Sequence, residues 1–114
     1  MTATIYHNPR CSKSRQALAL LEEKGIDANI KLYLKESLTA KELKELISDL
    51  GIKAHDILRT KEVEYKELGL SAESTESDII NALINTPKLL ERPIVKTVKG
   101  ARIGRPTDAI LDIL

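Results

Sequence analysis

The thiol chemistry open to this chain rests on one residue, Cys11, in the run His7-Asn8-Pro9-Arg10-Cys11-Ser12-Lys13-Ser14-Arg15. Its surroundings are basic: His7, Arg10, Lys13 and Arg15 flank it, and no Asp or Glu occurs before Glu22. Cationic neighbours, and the free amides of a helix beginning just after the cysteine, both favour thiolate over thiol. A cysteine kept for packing sits among apolar residues, and none lies within three positions of this one. The pattern reads as a reactive cysteine. Metal binding is ranked well below it, because one Cys and two distant His cannot complete a tetrahedral set.

Three further residues stand where the pattern breaks. Arg59 follows an apolar turn, Arg92 precedes Pro93, and Arg105 precedes Pro106. A residue before proline is pushed toward extended backbone, which presents its side chain from a loop. Guanidinium groups bind tetrahedral oxyanions through two parallel hydrogen bonds and keep their charge at any physiological pH. Any one of these arginines alone is an ordinary surface residue; the three together with a basic cysteine loop suggest an oxyanion site.

The elements that must position these groups follow from periodicity. Thr4–His7 reads as a strand ended by Asn8-Pro9, and a helix begins near Ser12, with Ala17, Leu18, Leu20 and Leu21 on its apolar face and Gly25 at its end. Residues 29–34 alternate polar and apolar as a half-buried strand does, which makes a right-handed βαβ unit. Thr39-Ala40-Lys41-Glu42 is a capping box leading into Leu43, Leu46, Ile47 and Leu50, with Gly51 as the stop. Segment 53–74 is broken and polar, with short helices expected around Leu58 and Leu68. Ile79, Ile80, Leu83 and Ile84 mark another helix that closes before Pro87. Pro93–Val98 and Ala101–Gly104, joined by Lys99-Gly100, predict a two-residue β-hairpin, and Thr107–Leu114 a final short helix. The order is βαβ, a helical insert, then ββα: an α/β chain on the thioredoxin-like plan, with a four-stranded mixed sheet. In this plan the Pro93 strand starts beside the Cys11 loop and carries Arg92 to the sulfur.

Bulk properties narrow the function classes. At 114 residues and 42% hydrophobic content the chain is expected to form a single domain, 1–114, with a core of its own. Three Tyr, no Phe and no Trp leave no stacking platform for single-stranded nucleic acid, and a formal charge of +1 draws it to neither DNA nor an acidic membrane. Nucleic-acid and membrane partners are therefore not expected. The N-terminal residues lack a signal-peptide pattern, and an unpaired thiol suits a reducing compartment, so the expected location is cytoplasmic.

The run Tyr6–Arg15 resembles the active-site loop of the glutaredoxin-dependent arsenate reductase family. The resemblance continues through Leu58-Arg59-Thr60-Lys61, Glu91-Arg92-Pro93-Ile94 and Ile103-Gly104-Arg105-Pro106, four anchors in order along nearly the whole chain. It implies that Cys11 attacks arsenate, that Arg59, Arg92 and Arg105 hold the oxyanion, that His7 and Ser14 tune the thiolate, and that Arg92–Pro93 lies near a cis-proline corner. It also implies glutathione as co-substrate and glutaredoxin as partner, with no bound cofactor. A different arsenate reductase class uses Cys-x5-Arg with several cysteines; position 17 here is Ala and no second Cys exists. Two other readings share the fold: a glutathione-dependent thiol oxidoreductase acting on another substrate, and a redox-responsive, RNA polymerase-binding transcription regulator. Such regulators sense through Cys-x-x-Cys, and Cys11-Ser12-Lys13-Ser14 lacks the second thiol.

Overall fold

The computed structural model describes residues 2–114. Its contacts divide the chain into two compact units: the chain up to Glu36 together with Arg92–Leu114, and Ser37–Glu91. The segment expected as a helical insert thus has a unit of its own.

The first unit is built on a four-stranded sheet of order β2-β1-β3-β4. Strand β1 (Thr2–Tyr6) pairs in parallel with β2 (Asp27–Lys31) and antiparallel with β3 (Ile94–Thr97), which pairs antiparallel with β4 (Gly100–Ile103). This is the mixed sheet of the thioredoxin-like plan. Period-two alternation puts Ala3 and Ile5 on one face of β1, where they pack with Val95. Helix α1 (Ser12–Glu23) covers that face with Ala17 and Leu21, both fully buried, and Ser14 lies on the same stripe. A closing 3₁₀ helix, Thr107–Ile113, contributes Ile110 and Ile113, whose three-residue spacing stacks them on one side.

Two local expectations are corrected here. Strand β2 runs from Asp27 to Lys31 rather than 29–34, because its register pairs Thr2 with Asp27 and Tyr6 with Lys31, where β1 ends. Beyond Lys31 the chain turns, with the Lys35 and Glu36 amides donating to the Leu32 carbonyl at 2.9 and 2.8 Å. The alternation read as one half-buried face is split by that turn: Tyr33 is buried, while Ile30 and Leu34 are 45% and 47% exposed. The hairpin turn is Val98-Lys99, and Gly100 pairs with Thr97 as the first residue of β4. Gly100 supplies the positive φ, 136°, that neither turn residue adopts, while Thr97 Oγ1 accepts from the Lys99 amide at 3.1 Å.

In the second unit, helix α2 (Ala40–Leu50) starts on the expected capping box. The Glu42 amide donates to Thr39 Oγ1 at 3.1 Å and the Thr39 amide to Glu42 Oε1 at 3.2 Å. Leu43, Leu46, Ile47 and Leu50 form its buried stripe, and Gly51, at φ 67°, ends it. The 3₁₀ turn Ala54–Ile57 stops short of Leu58, which bridges Leu90 instead, and helix α3 (Val63–Glu67) ends before Leu68. Helix α4 (Glu76–Asn85) buries Ile79, Ile80, Ala82 and Leu83 and closes before Pro87, as the pattern predicts. Among the described residues no helix is long and apolar enough to cross a membrane.

Candidate active site

Cys11 is the N-cap of α1, in extended conformation at φ −93°, ψ 122°. It arrives there through a tight turn in which its own amide donates to the Asn8 carbonyl at 3.0 Å. Asn8 Oδ1 accepts from the Arg10 amide at 3.1 Å, an Asx turn, and Arg15 Nη1 reaches back to the Pro9 carbonyl at 2.9 Å. Asn-Pro in the sequence signalled a loop; the clamp by Arg15 had no sequence signal.

The cap position aims the sulfur at the first free amides of the helix. Burial pushes the Cys11 thiol up. The backbone N–H of Ser14, the charge of Arg92, the backbone N–H of Lys13 and a hydrogen bond from Arg92 outweigh that, and its pKa lies below the ordinary cysteine value. Two of these four lowering causes are peptide groups at the start of the helix, and the other two belong to Arg92. None of the four flanking cationic residues is among these causes; Arg92, 81 positions away, is.

Arg92 and Arg105 come from the two ends of the β3–β4 hairpin. Arg105 Nη2 lies 3.9 Å from Cys11 Sγ, and its Nε donates to the Arg92 carbonyl at 2.7 Å, tying the two arginines together. Arg92 Nε and Nη1 are buried with no acceptor among the described residues. Both Arg92–Pro93 and Arg105–Pro106 are cis. Gly104 holds this arrangement: its amide donates to the Pro93 carbonyl at 2.8 Å, and a Cβ on it would stand 2.8 Å from Pro93 Cγ. The sequence placed Gly104 in a strand end and an anchor motif without a role of its own; a glycine at the end of a strand was the available signal for a close backbone approach.

His7 and Ser14 meet each other. His7 Nδ1 and Ser14 Oγ are 2.6 Å apart, and the hydroxyl also accepts from the Asn8 amide at 3.1 Å. Burial, then the charge of Arg15, push the His7 imidazole below its usual pKa, so it is held neutral. Ser14 reaches the sulfur through its backbone, while its side chain braces the loop. Arg59 lies in the second unit, where it pairs with Glu62 at 2.8 Å and lies 4.0 Å from Glu91. Lys88 bonds Glu62 and Glu64 at 3.4 and 3.0 Å in the same network.

A parallel–antiparallel sheet with a lone cysteine at the β1–α1 junction and arginines at the cis-proline corners defines a thioredoxin-like α/β protein with a single-thiol site. The family model for the ArsC family matches residues 6–113, and the chain belongs to that family. An arsenate reductase from Haemophilus influenzae is 43% identical over 116 residues, covering 100% of both chains. An uncharacterized protein of Escherichia coli, YfgD, is 47% identical, covering 96% of this chain and 94% of its own. The solved structure of an arsenate reductase from Vibrio cholerae superposes with a TM-score of 0.96 at 45% identity, covering 100% of this chain and 98% of that one.

Proposed function

We propose that the protein reduces arsenate to arsenite through a covalent Cys11–arsenic adduct, drawing electrons from glutathione and glutaredoxin. The observation that carries the reading is a cysteine sulfur at a helix N-cap with Arg105 at 3.9 Å and two unengaged Arg92 donors beside it. Those donors neutralise an approaching oxyanion, so that one anion can attack another. The Cys11 thiolate bonds to arsenic and a hydroxide leaves as water. One external thiol replaces a second arsenic hydroxyl, which takes the thiol's proton and leaves as water. The other attacks that bound sulfur, so the two thiols leave as a disulfide and arsenic passes from +5 to +3. Water then displaces the Cys11 sulfur from arsenic to release arsenite and regenerate the thiolate. The donors must be external because a chain with one cysteine cannot close an internal disulfide. In this reading His7 and Ser14 position the loop, and the reducing cytoplasm keeps the thiol usable. The arsenate reductases among its relatives support the substrate.

The test is NADPH-coupled arsenate turnover supplied by glutathione and glutaredoxin or, separately, by thioredoxin. Cys11→Ser abolishes turnover, since a hydroxyl is a far weaker nucleophile at neutral pH. Turnover with thioredoxin alone overturns the donor assignment; none with either supply overturns the reaction.

A further inference from the structure

Strands β1 and β2 run parallel and end side by side, Tyr6 opposite Lys31. The chain leaves β1 into the Cys11 loop and β2 into the turn that follows Lys31; the His7 amide ties the two by donating to the Lys31 carbonyl at 2.9 Å. The space beyond the carboxyl ends of parallel strands is where α/β sheets bind ligands. Here it holds a cavity of about 360 Å³, bounded on one side by Pro9 and Arg10 and on the other by Leu32, Leu34 and Lys35. That volume suits a small molecule and is far too small for a folded protein.

The lining has a composition of its own. Pro9, Leu32 and Leu34 give it an apolar wall, and Leu34 is 47% exposed, more than packing within the fold requires. Arg10 and Lys35 place one cation on each side, and among the described residues neither side chain is in an ion pair. The nearest acid in sequence, Glu36, is engaged with Lys31 at 3.6 Å. Two free cations flanking an apolar cleft complement a short molecule with an anion at each end.

We propose that this cavity seats the thiol co-substrate: a small peptide thiol carrying two carboxylates, of which glutathione is the probe. Arg10 and Lys35 hold its carboxylates and Leu32 and Leu34 its backbone, one residue along the chain from Cys11. The proposal rests on the thiol-dependent reading above and adds the place where the thiol binds. A neutral thiol gains nothing from the two cations, and a redox protein cannot enter.

The experiment compares KM for glutathione, for 2-mercaptoethanol and for arsenate in the wild type, Lys35→Gln and Lys35→Glu. Loss of one exposed charge contact raises the glutathione KM roughly 3-fold, and its reversal roughly 10-fold. The KM values for 2-mercaptoethanol and arsenate stay put, as does the rate of Cys11 alkylation by iodoacetamide. Arg10→Gln repeats the glutathione effect from the opposite wall. An unchanged glutathione KM in Lys35→Glu overturns the proposal, as does an equal rise for 2-mercaptoethanol or a rise confined to glutaredoxin. Where the wild type shows no glutathione-dependent turnover, the thiol reading itself fails. S-methylglutathione then decides the cavity alone: NMR shifts at the Leu34 and Lys35 amides, lost in Lys35→Glu, uphold it, and their absence in the wild type overturns it.

Discussion

Gly104→Ala isolates the geometry that brings Arg105 to the sulfur. The added methyl stands 2.8 Å from Pro93 Cγ and 3.5 Å from Ile110 Cγ2. The second distance is an ordinary contact; the first is not, and a pyrrolidine ring has no rotamer by which to swing away. Restoring an ordinary 3.4 Å contact needs a displacement of about 0.6 Å in a close-packed region. Overpacking of this kind costs about 1–3 kcal/mol, seen as a Tm lower by at least about 4 °C. The displacement lengthens the 2.8 Å hydrogen bond from Gly104 to Pro93 and moves the next residue, Arg105. Because misplacement by about 1 Å is worth up to about 100-fold in rate, this shift lowers kcat/KM for arsenate by on the order of 10-fold. Alkylation of Cys11 by neutral iodoacetamide changes far less, since the amides of Lys13 and Ser14 lie on α1 and stay where they are. Thermal unfolding, arsenate turnover and alkylation on the same preparation give the result. A variant with wild-type Tm and wild-type kcat/KM refutes the argument that Gly104 sets the arginine pair.

Arg92→Lys and Arg105→Lys keep the charge and lose the paired donors; each weakens arsenate, and sulfate as competitor, by roughly 10-fold in steady-state inhibition. The inflection of Cys11 alkylation against pH lies below that of a free thiol and moves upward in Arg92→Gln, which removes both a charge and a hydrogen bond; an unmoved inflection removes Arg92 from the thiolate's environment. Ser14→Ala strips a partner from His7 and from the Asn8 amide, costing about 1–3 kcal/mol in urea titration. His7 has a folded pKa below the ordinary imidazole value of about 6.5, so the unfolded chain takes up its proton first and stability falls as pH drops below about 6.5; that part of the loss disappears in His7→Asn.

Where a local rule acts alone, the sequence was enough. Thr39 and Glu42 fix the start of α2, Ala17 and Leu21 fix the face of α1, and a turn into a helix fixes Cys11 at its N-cap. Where pairing decides, it was not. The end of β2 depends on where β1 stops, a fact about Tyr6 that the alternation of residues 29–34 does not contain. The hairpin slipped by one because Gly100, rather than occupying the turn, supplies the positive φ beside it. In the site, the fold plan already carried Arg92 to the sulfur, whereas the flanking charges, which were expected to act on it, are not among the groups that do. The role of Gly104 was not legible, since nothing near it in sequence announces Pro93 as its neighbour.

The pairing of β1 has a temporal side as well. Ile5 sits opposite Val95, about 90 positions later, so this inner strand has one neighbour about 25 positions on and the other about 90. Closing so long a loop delays contacts that more local ones do not require. On a ribosome, Cys11 emerges ahead of α1 and β2, while Arg92 and Arg105 follow 81 and 94 residues after it. The nascent chain therefore exposes a thiol whose helix amides already favour the thiolate, but which has no guanidinium beside it. Reactivity toward oxidants comes first and oxyanion binding last, a reason for synthesis to take place where thiols are kept reduced.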